Sequence, residues 1–153
     1  MALTKIGATL GGSADIMTIT QSGHGLYLGY PVKVSGNNQF SHATADTIAN
    51  AETVGIVIVT DRTGANTTFT LALSGRVTVD GCVPSSGSPG DVLFLNTSAG
   101  LLTATEPSGN NQVSKPMAVM VTVGSEMILM NYRGEQISTA GITLADDAVT
   151  NAK

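Results

Sequence analysis

Charge is what this chain most lacks. Asp, Glu, Lys and Arg together make up 12% of it, against roughly 25% in an ordinary soluble domain. Charge keeps soluble proteins apart, so a surface this poor in it points to cover by neighbouring subunits. The seven Lys and Arg are scattered, no two adjacent, and the formal net charge is −4. Nucleic acid is held by clustered cations and stacked aromatics; neither pattern occurs, which argues against nucleic acid as a partner. Aromatic residues are only 4% of the chain and Trp is absent. A single cysteine, Cys82, excludes an intrachain disulfide; in its apolar stretch it reads as a small core residue. The longest apolar runs, such as 117–121, fall far short of the ~20 residues a membrane-spanning helix needs, and the first residues lack the apolar centre of a signal peptide. The expectation is a chain made in the cytoplasm and soluble until it assembles, with no membrane partner.

What is present is glycine (18 residues), threonine and a 42% apolar content, arranged as short segments of period two. A length of 153 residues suits one domain plus an arm. The clearest alternation runs over 67–79: Phe69, Leu71, Leu73, Val77 and Val79 point one way, Thr68, Thr70, Ser74, Arg76 and Thr78 the other. Gly75 interrupts this pattern and marks a bulge or bend. Further strands are expected at 16–20, 31–35, 54–60, 92–96, 101–105, 117–123 and 127–132. Between them lie the turn signals Gly36-Asn37-Asn38, Gly64-Ala65-Asn66, the Ser/Gly/Pro stretch 85–90 and Gly109-Asn110-Asn111. A turn or two of helix fits 46–52, capped by Asp46 or Thr47. The fold class is all-β, a small barrel or sandwich.

Two blocks follow the same order: an opening strand, a turn, a Thr-containing strand, a spacer, an apolar strand and a closing strand. The first covers about 30–76, with its Thr-containing strand ending at Thr44-Ala45-Asp46; the second covers about 90–134. Matching points such as Val32 and Val92 lie about 60 residues apart. This suggests an internally duplicated four-strand unit within a β-domain at 1–134, whose first segment is 1–29. The pentapeptide Ser-Gly-Asn-Asn-Gln occurs at 35–39 and 108–112 but breaks that register, so it reads as recurring turn chemistry. Residues 135–153 form an arm, extended or helical. Its Ile142, Leu144, Ala148 and Val149 are too few to bury a core alone, and such a tail finds its order on a partner or on copies of itself.

No constellation supports catalysis. The glycines of 23–29 approach a dinucleotide fingerprint, but the last is one place late and the segment leads into Pro31 and a strand rather than a helix. Gly7 to Gly12 lack the Lys-Ser/Thr of a phosphate loop. His24 and His42, with one Cys, offer no metal-ligand spacing within one chain; only a trimer could gather three copies of either on its axis. Asp146-Asp147 is the only adjacent carboxylate pair, and neighbours in sequence rarely converge on one substrate. No Gly-x-Ser-x-Gly elbow occurs. Asp61-Arg62 and the strand-closing Arg76 and Arg133 read as strand-end charges, with inter-subunit ion pairs the other option. No cofactor, no metal and no enzymatic activity are expected; the candidate assembly residues are Ile142, Leu144, Ala148, Val149, Arg76 and Arg133.

Several segments carry a resemblance to a family. The opening Met-Ala-Leu-Thr-Lys-Ile-Gly, Ala51 to Val57 followed by Leu73 to Val77, Gly90-Asp91-Val92-Leu93-Phe94-Leu95 leading to Gly100-Leu101-Leu102-Thr103, and Val113-Ser114-Lys115-Pro116 resemble the β-domains of tailed-bacteriophage tail-fibre-like and capsid-decoration proteins. The tail 144–153 resembles the linker repeats of phage fibres, which are typically trimeric. The resemblance implies a structural component of a virion: a trimeric tail-fibre-like appendage anchored through its β-domain to tail, baseplate or major capsid protein. Alternatives are a capsid decoration (cement) protein and, from another class, a host-surface glycan-binding module. A receptor-binding fibre would continue well beyond Lys153.

Overall fold

Period-two apolar segments broken by Gly, Asn and Pro fold as short strands, and the computed structural model, which describes residues 14–130 and 134–136, bears this out. Among the described residues the order is β1 (Asp15–Thr20), β2 (Pro31–Gly36), β3 (Gln39–His42), α1 (Ile48–Ala51), β4 (Thr53–Thr60), β5 (Thr68–Val77), β6 (Val92–Phe94), β7 (Val113–Ser114), β8 (Pro116–Thr122), β9 (Glu126–Leu129) and β10 (Glu135–Gln136). Eight strands make one antiparallel sheet, ordered β3-β2-β4-β5-β9-β8-β6 with β1 also on β5, and this sheet curls into a half-barrel. β10 pairs with β7.

β5 is the hinge of the sheet. Its first part pairs with β1 as far as Asp15↔Ser74, and β9 takes over on the same edge at Gly75↔Leu129. Gly75 has φ +99°, a conformation that costs other residues, and a bulge lies beside it between the Ser74 and Ala72 pairs. The bulge corrects one expectation. Val77 does not share a face with Phe69 and Leu71; the extra residue reverses the alternation, and Val77 joins the main core with Ala72.

β4 and β5 are buried on both faces. Ile56, Ile58 and Ala72 enter the main core, with Leu93, Ala118, Met120, Met127 and Leu129 from the other half of the sheet. Their neighbours Val57, Leu71 and Phe69 enter a second cluster with Ile19, Leu26 and Val32. The register agrees, since Ile56 is opposite Ala72 and Val57 opposite Leu71. A continuous apolar run is what two covered faces require, and 54–59 is such a run. β1 and the loop 21–30 supply the cover. That loop passes so close to 81–82 and Leu101 that a Cβ on Gly29 (φ +78°) would lie 2.4 Å from Leu101 Cδ2 and 2.8 Å from Cys82 Cα.

The pentapeptide repeats as turn chemistry: Asn38 and Asn111, at the same place in each copy, both take positive φ, 52° and 66°. The helix is capped by Thr47, whose hydroxyl accepts from the Asn50 N–H. Asp46 instead accepts from Thr44 at 2.6 Å and from the Asn50 amide. Two strand bounds differ from expectation. β3 stops at His42, because Ala43 and Ala45 turn into the core and bond other loops: Ala45 N–H donates to Asn96 and its carbonyl accepts from Val113. At 101–105 only the bridge Phe94↔Thr103 forms, Leu102 being drawn into the core.

Candidate assembly surface

The face opposite the main core has two fates. In the first half of the sheet it carries the second cluster. In the second half the register aligns Val92↔Val119, Val119↔Ile128 and Ile128↔Arg76 across β6, β8, β9 and β5. Residues directly opposite on antiparallel strands point to one face, so these four side chains form a row. Among the described residues nothing buries it: Val92 is 41% exposed, Ile128 43%, and Val121, two places along β8, 37%. Their strand neighbours Leu93, Ala118, Met120 and Met127 are buried, so the exposure belongs to the face and not to the strands. Isolated exposed apolar residues are ordinary; a contiguous stripe marks an interaction surface.

Arg76 ends this row. Its side chain is exposed, and its Nε donates to Glu126 Oε1, while Glu126 lies opposite Thr122 on the adjoining strand. Of the candidate assembly residues it alone can be placed. Arg133, Ile142, Leu144, Ala148 and Val149, and the arm 137–153 as a whole, lie outside the described residues. Val92, Val119, Val121 and Ile128 were legible only as strand residues. The available signal was the five-residue apolar run 117–121, which, like 54–59, has apolar side chains for both faces.

A second grouping gathers much of the chain's scarce aromatic content. The Tyr27 and Tyr30 rings lie 5.2 Å apart, His42 lies 5.6 Å from Tyr27 and 4.9 Å from Tyr30, and the Arg62 guanidinium sits 3.7 Å over Tyr27. Arg62 also donates to the Tyr27 hydroxyl at 2.6 Å and to the Gly25 carbonyl at 3.2 Å. The two ring nitrogens of His42 are enclosed and make no hydrogen bond of normal geometry. Burial lowers the His42 pKa and nearby Arg62 adds to this, against a smaller opposing influence of the Gly25 carbonyl. Arg62 is thus committed within the chain, stapling the loop 21–30 to the loop after β4.

No protein-family model, curated protein or solved structure matches this chain.

His24 is also committed within the chain. Its Nδ1 accepts from Leu26 N–H at 3.0 Å, so the ring proton sits on Nε2 and is donated to Asp61 Oδ1 at 2.9 Å. Asp61 accepts further from the backbone and hydroxyls of Thr67 and Thr68. Burial raises the Asp61 pKa, but the hydrogen bonds from His24, Thr67 and Thr68 together outweigh it and hold the carboxyl far below the usual range. The pair ties two loops together, and with both nitrogens used His24 has none for a metal on a symmetry axis. Among the described residues no three His, Cys, Asp or Glu side chains converge as a metal site. Cys82 is buried and donates to the Val57 carbonyl at 3.4 Å; burial pushes its thiol up to about 12, offset in part by the Gly29 N–H.

Proposed function

We propose that this chain is a structural component of a bacteriophage virion, a trimeric tail-fibre-like appendage whose β-domain anchors it to the particle. The observation that carries the assembly part is the bare row Val92–Val119–Ile128–Arg76 on an otherwise well-packed sheet. In a chain with only 12% charged residues, such a face is best accounted for as a contact between subunits. The virion itself and the threefold symmetry rest on the resemblance of the sequence segments.

The strand order also supports the duplicated four-strand unit. β2, β4 and β5 are neighbours in that order, and β6, β8 and β9 repeat it in mirror sequence across the β5–β9 junction. Even the weak element fits, since β3 pairs with β2 where Thr103 bridges Phe94 of β6. The glycan-binding reading gains little from the aromatic group, because Arg62 already lies against the Tyr27 ring. Capsid decoration draws on the same bare face, and the position of the protein on the particle separates the two.

Light scattering on the whole chain should give a trimer mass at micromolar concentration; a monomer there overturns the assembly reading. Electron microscopy of particles carrying a tagged copy should place the tag on the tail. A tag on the shell would make decoration correct, and an untagged particle would remove the virion reading.

A further inference from the structure

The bare row needs an occupant, and the direction in which the chain leaves the fold suggests one. β10 runs antiparallel to β7, with Glu135 opposite Ser114 and Gln136 opposite Val113. β7 leads through Lys115 directly into β8, the middle strand of the bare face. The chain at Gln136 is therefore heading away from β8. Seventeen residues follow, enough to reach roughly 55 Å if extended. Their direction carries them off their own subunit's bare face and toward a neighbour.

The chemistry of that segment matches the face. Ile142 and Leu144 flank Thr143, so in an extended chain both apolar side chains project to one side. They are followed by Asp146 and Asp147. The row offers apolar Val92, Val119 and Ile128 and then, at its β5 end, the exposed cation Arg76. An apolar pair trailed by carboxylates lies in register with an apolar row ended by a guanidinium. Arg76 already meets Glu126 through one nitrogen, and its planar fork carries further donors.

We infer that the Val92–Val119–Ile128–Arg76 row of each subunit is the seat for residues 141–147 of a second copy, with Ile142 and Leu144 on the valines and Ile128 and the aspartates at Arg76. The inference rests on the assembly reading above and names its surface. The arm then joins neighbours by lying across a sheet, and each subunit both gives an arm and receives one. Such head-to-tail contacts close into a ring when the rotation allows, which suits a trimer.

The test uses full-length chains carrying one new cysteine each, Ile128→Cys in one and Leu144→Cys in the other. They are refolded together in equal amounts and oxidised mildly. The native Cys82 is buried with its thiol pKa near 12, so it stays silent. A disulfide-linked pair should appear on a non-reducing gel in the mixture, at least about tenfold faster than when Val34→Cys, an equally exposed position on the other half, replaces Ile128→Cys. A chain carrying both Ile128→Cys and Leu144→Cys that closes only on itself would place the arm on its own subunit and overturn the inference. A trimer mass with no preference over the Val34→Cys control would overturn it too, while leaving assembly standing. A monomer mass for the unaltered chain would remove both. As a second measurement, a chain ending at Gln136 should lose trimer mass while keeping its strand content; a tail-less trimer would sink the idea.

Discussion

The two halves of this sheet meet the main core in the same way and differ on the opposite face. On β2, β4 and β5 that face is closed by β1 and the loop 21–30 into a cluster of Ile19, Leu26, Val32, Val57, Phe69 and Leu71. On β6, β8 and β9 it is left bare, with Val92, Val121 and Ile128 more than a third exposed. The sequences of the two halves are about equally apolar, so hydrophobicity does not separate them. What separates them is a covering segment: the N-terminal strand runs beside β5 to Ser74 and stops where β9 begins. One half has its cover within the described chain. We read the other as receiving it from a partner.

The sharpest way to break this comparison is to remove an apolar side chain from each half. Phe69→Ala empties the centre of the closed cluster, where Phe69 is 1% exposed and packs edge-on to Phe40. The expected loss is about 3–5 kcal/mol in urea unfolding. A loss under about 1 kcal/mol would mean that the cluster is not a second core.

Next in size is the cover itself. Gly29→Ala forces a Cβ against Leu101 and the Cys82 backbone at a positive φ, with an expected cost of about 1–3 kcal/mol. Hydrogen exchange should rise first at Leu26 and Val57, on the closed cluster, and stay unchanged on β8 and β9. Equal loosening of both halves would show that the loop 21–30 is not a separate cover.

The pH response should also divide the halves. The folded Asp61 carboxyl titrates below its unfolded value of about 3.9. Its hydrogen bonds therefore add stability above that pH, and the contribution is lost as pH falls from about 4 toward the lower folded value. Melting temperature should drop through this window, with Asp61→Asn lower at neutral pH and flatter below 4. An Asp61→Asn chain that keeps the full acid dependence would assign it to other carboxylates.

How far the sequence carried depends on what each segment had to satisfy. The alternation of β5 and the apolar run of β4 were legible because burial on one or two faces writes a pattern directly into residue type. The bend at Gly75 was visible, but its consequence for Val77 was not, since one extra residue reverses every later side chain. β3 is Gln-Phe-Ser-His, too polar to stand out, and it is held by pairing with β2. The expected strand at 101–105 was spent otherwise, because Leu102 is required by the core. Of the assembly residues, Arg76 was found for its charge, whereas the apolar row beside it became visible only when register placed three strands together.

The smallest effect on stability should come from the bare half, and it is the one that gives the comparison its meaning. Arg76→Ala removes an exposed ion pair worth at most about 1 kcal/mol. Ile128→Ser removes a side chain that already meets water, so unfolding of the dissociated chain should shift by about 0.5 kcal/mol or less. Neither change touches the main core, whose β9 residues are Met127 and Leu129. Sedimentation should nonetheless show Ile128→Ser weakening self-association about tenfold or more, since losing the centre of an apolar contact costs 1–2 kcal/mol or more. If Ile128→Ser instead destabilised the isolated chain as strongly as Phe69→Ala, the face would be covered within the subunit. The two halves would then be alike, and the need for a partner would disappear.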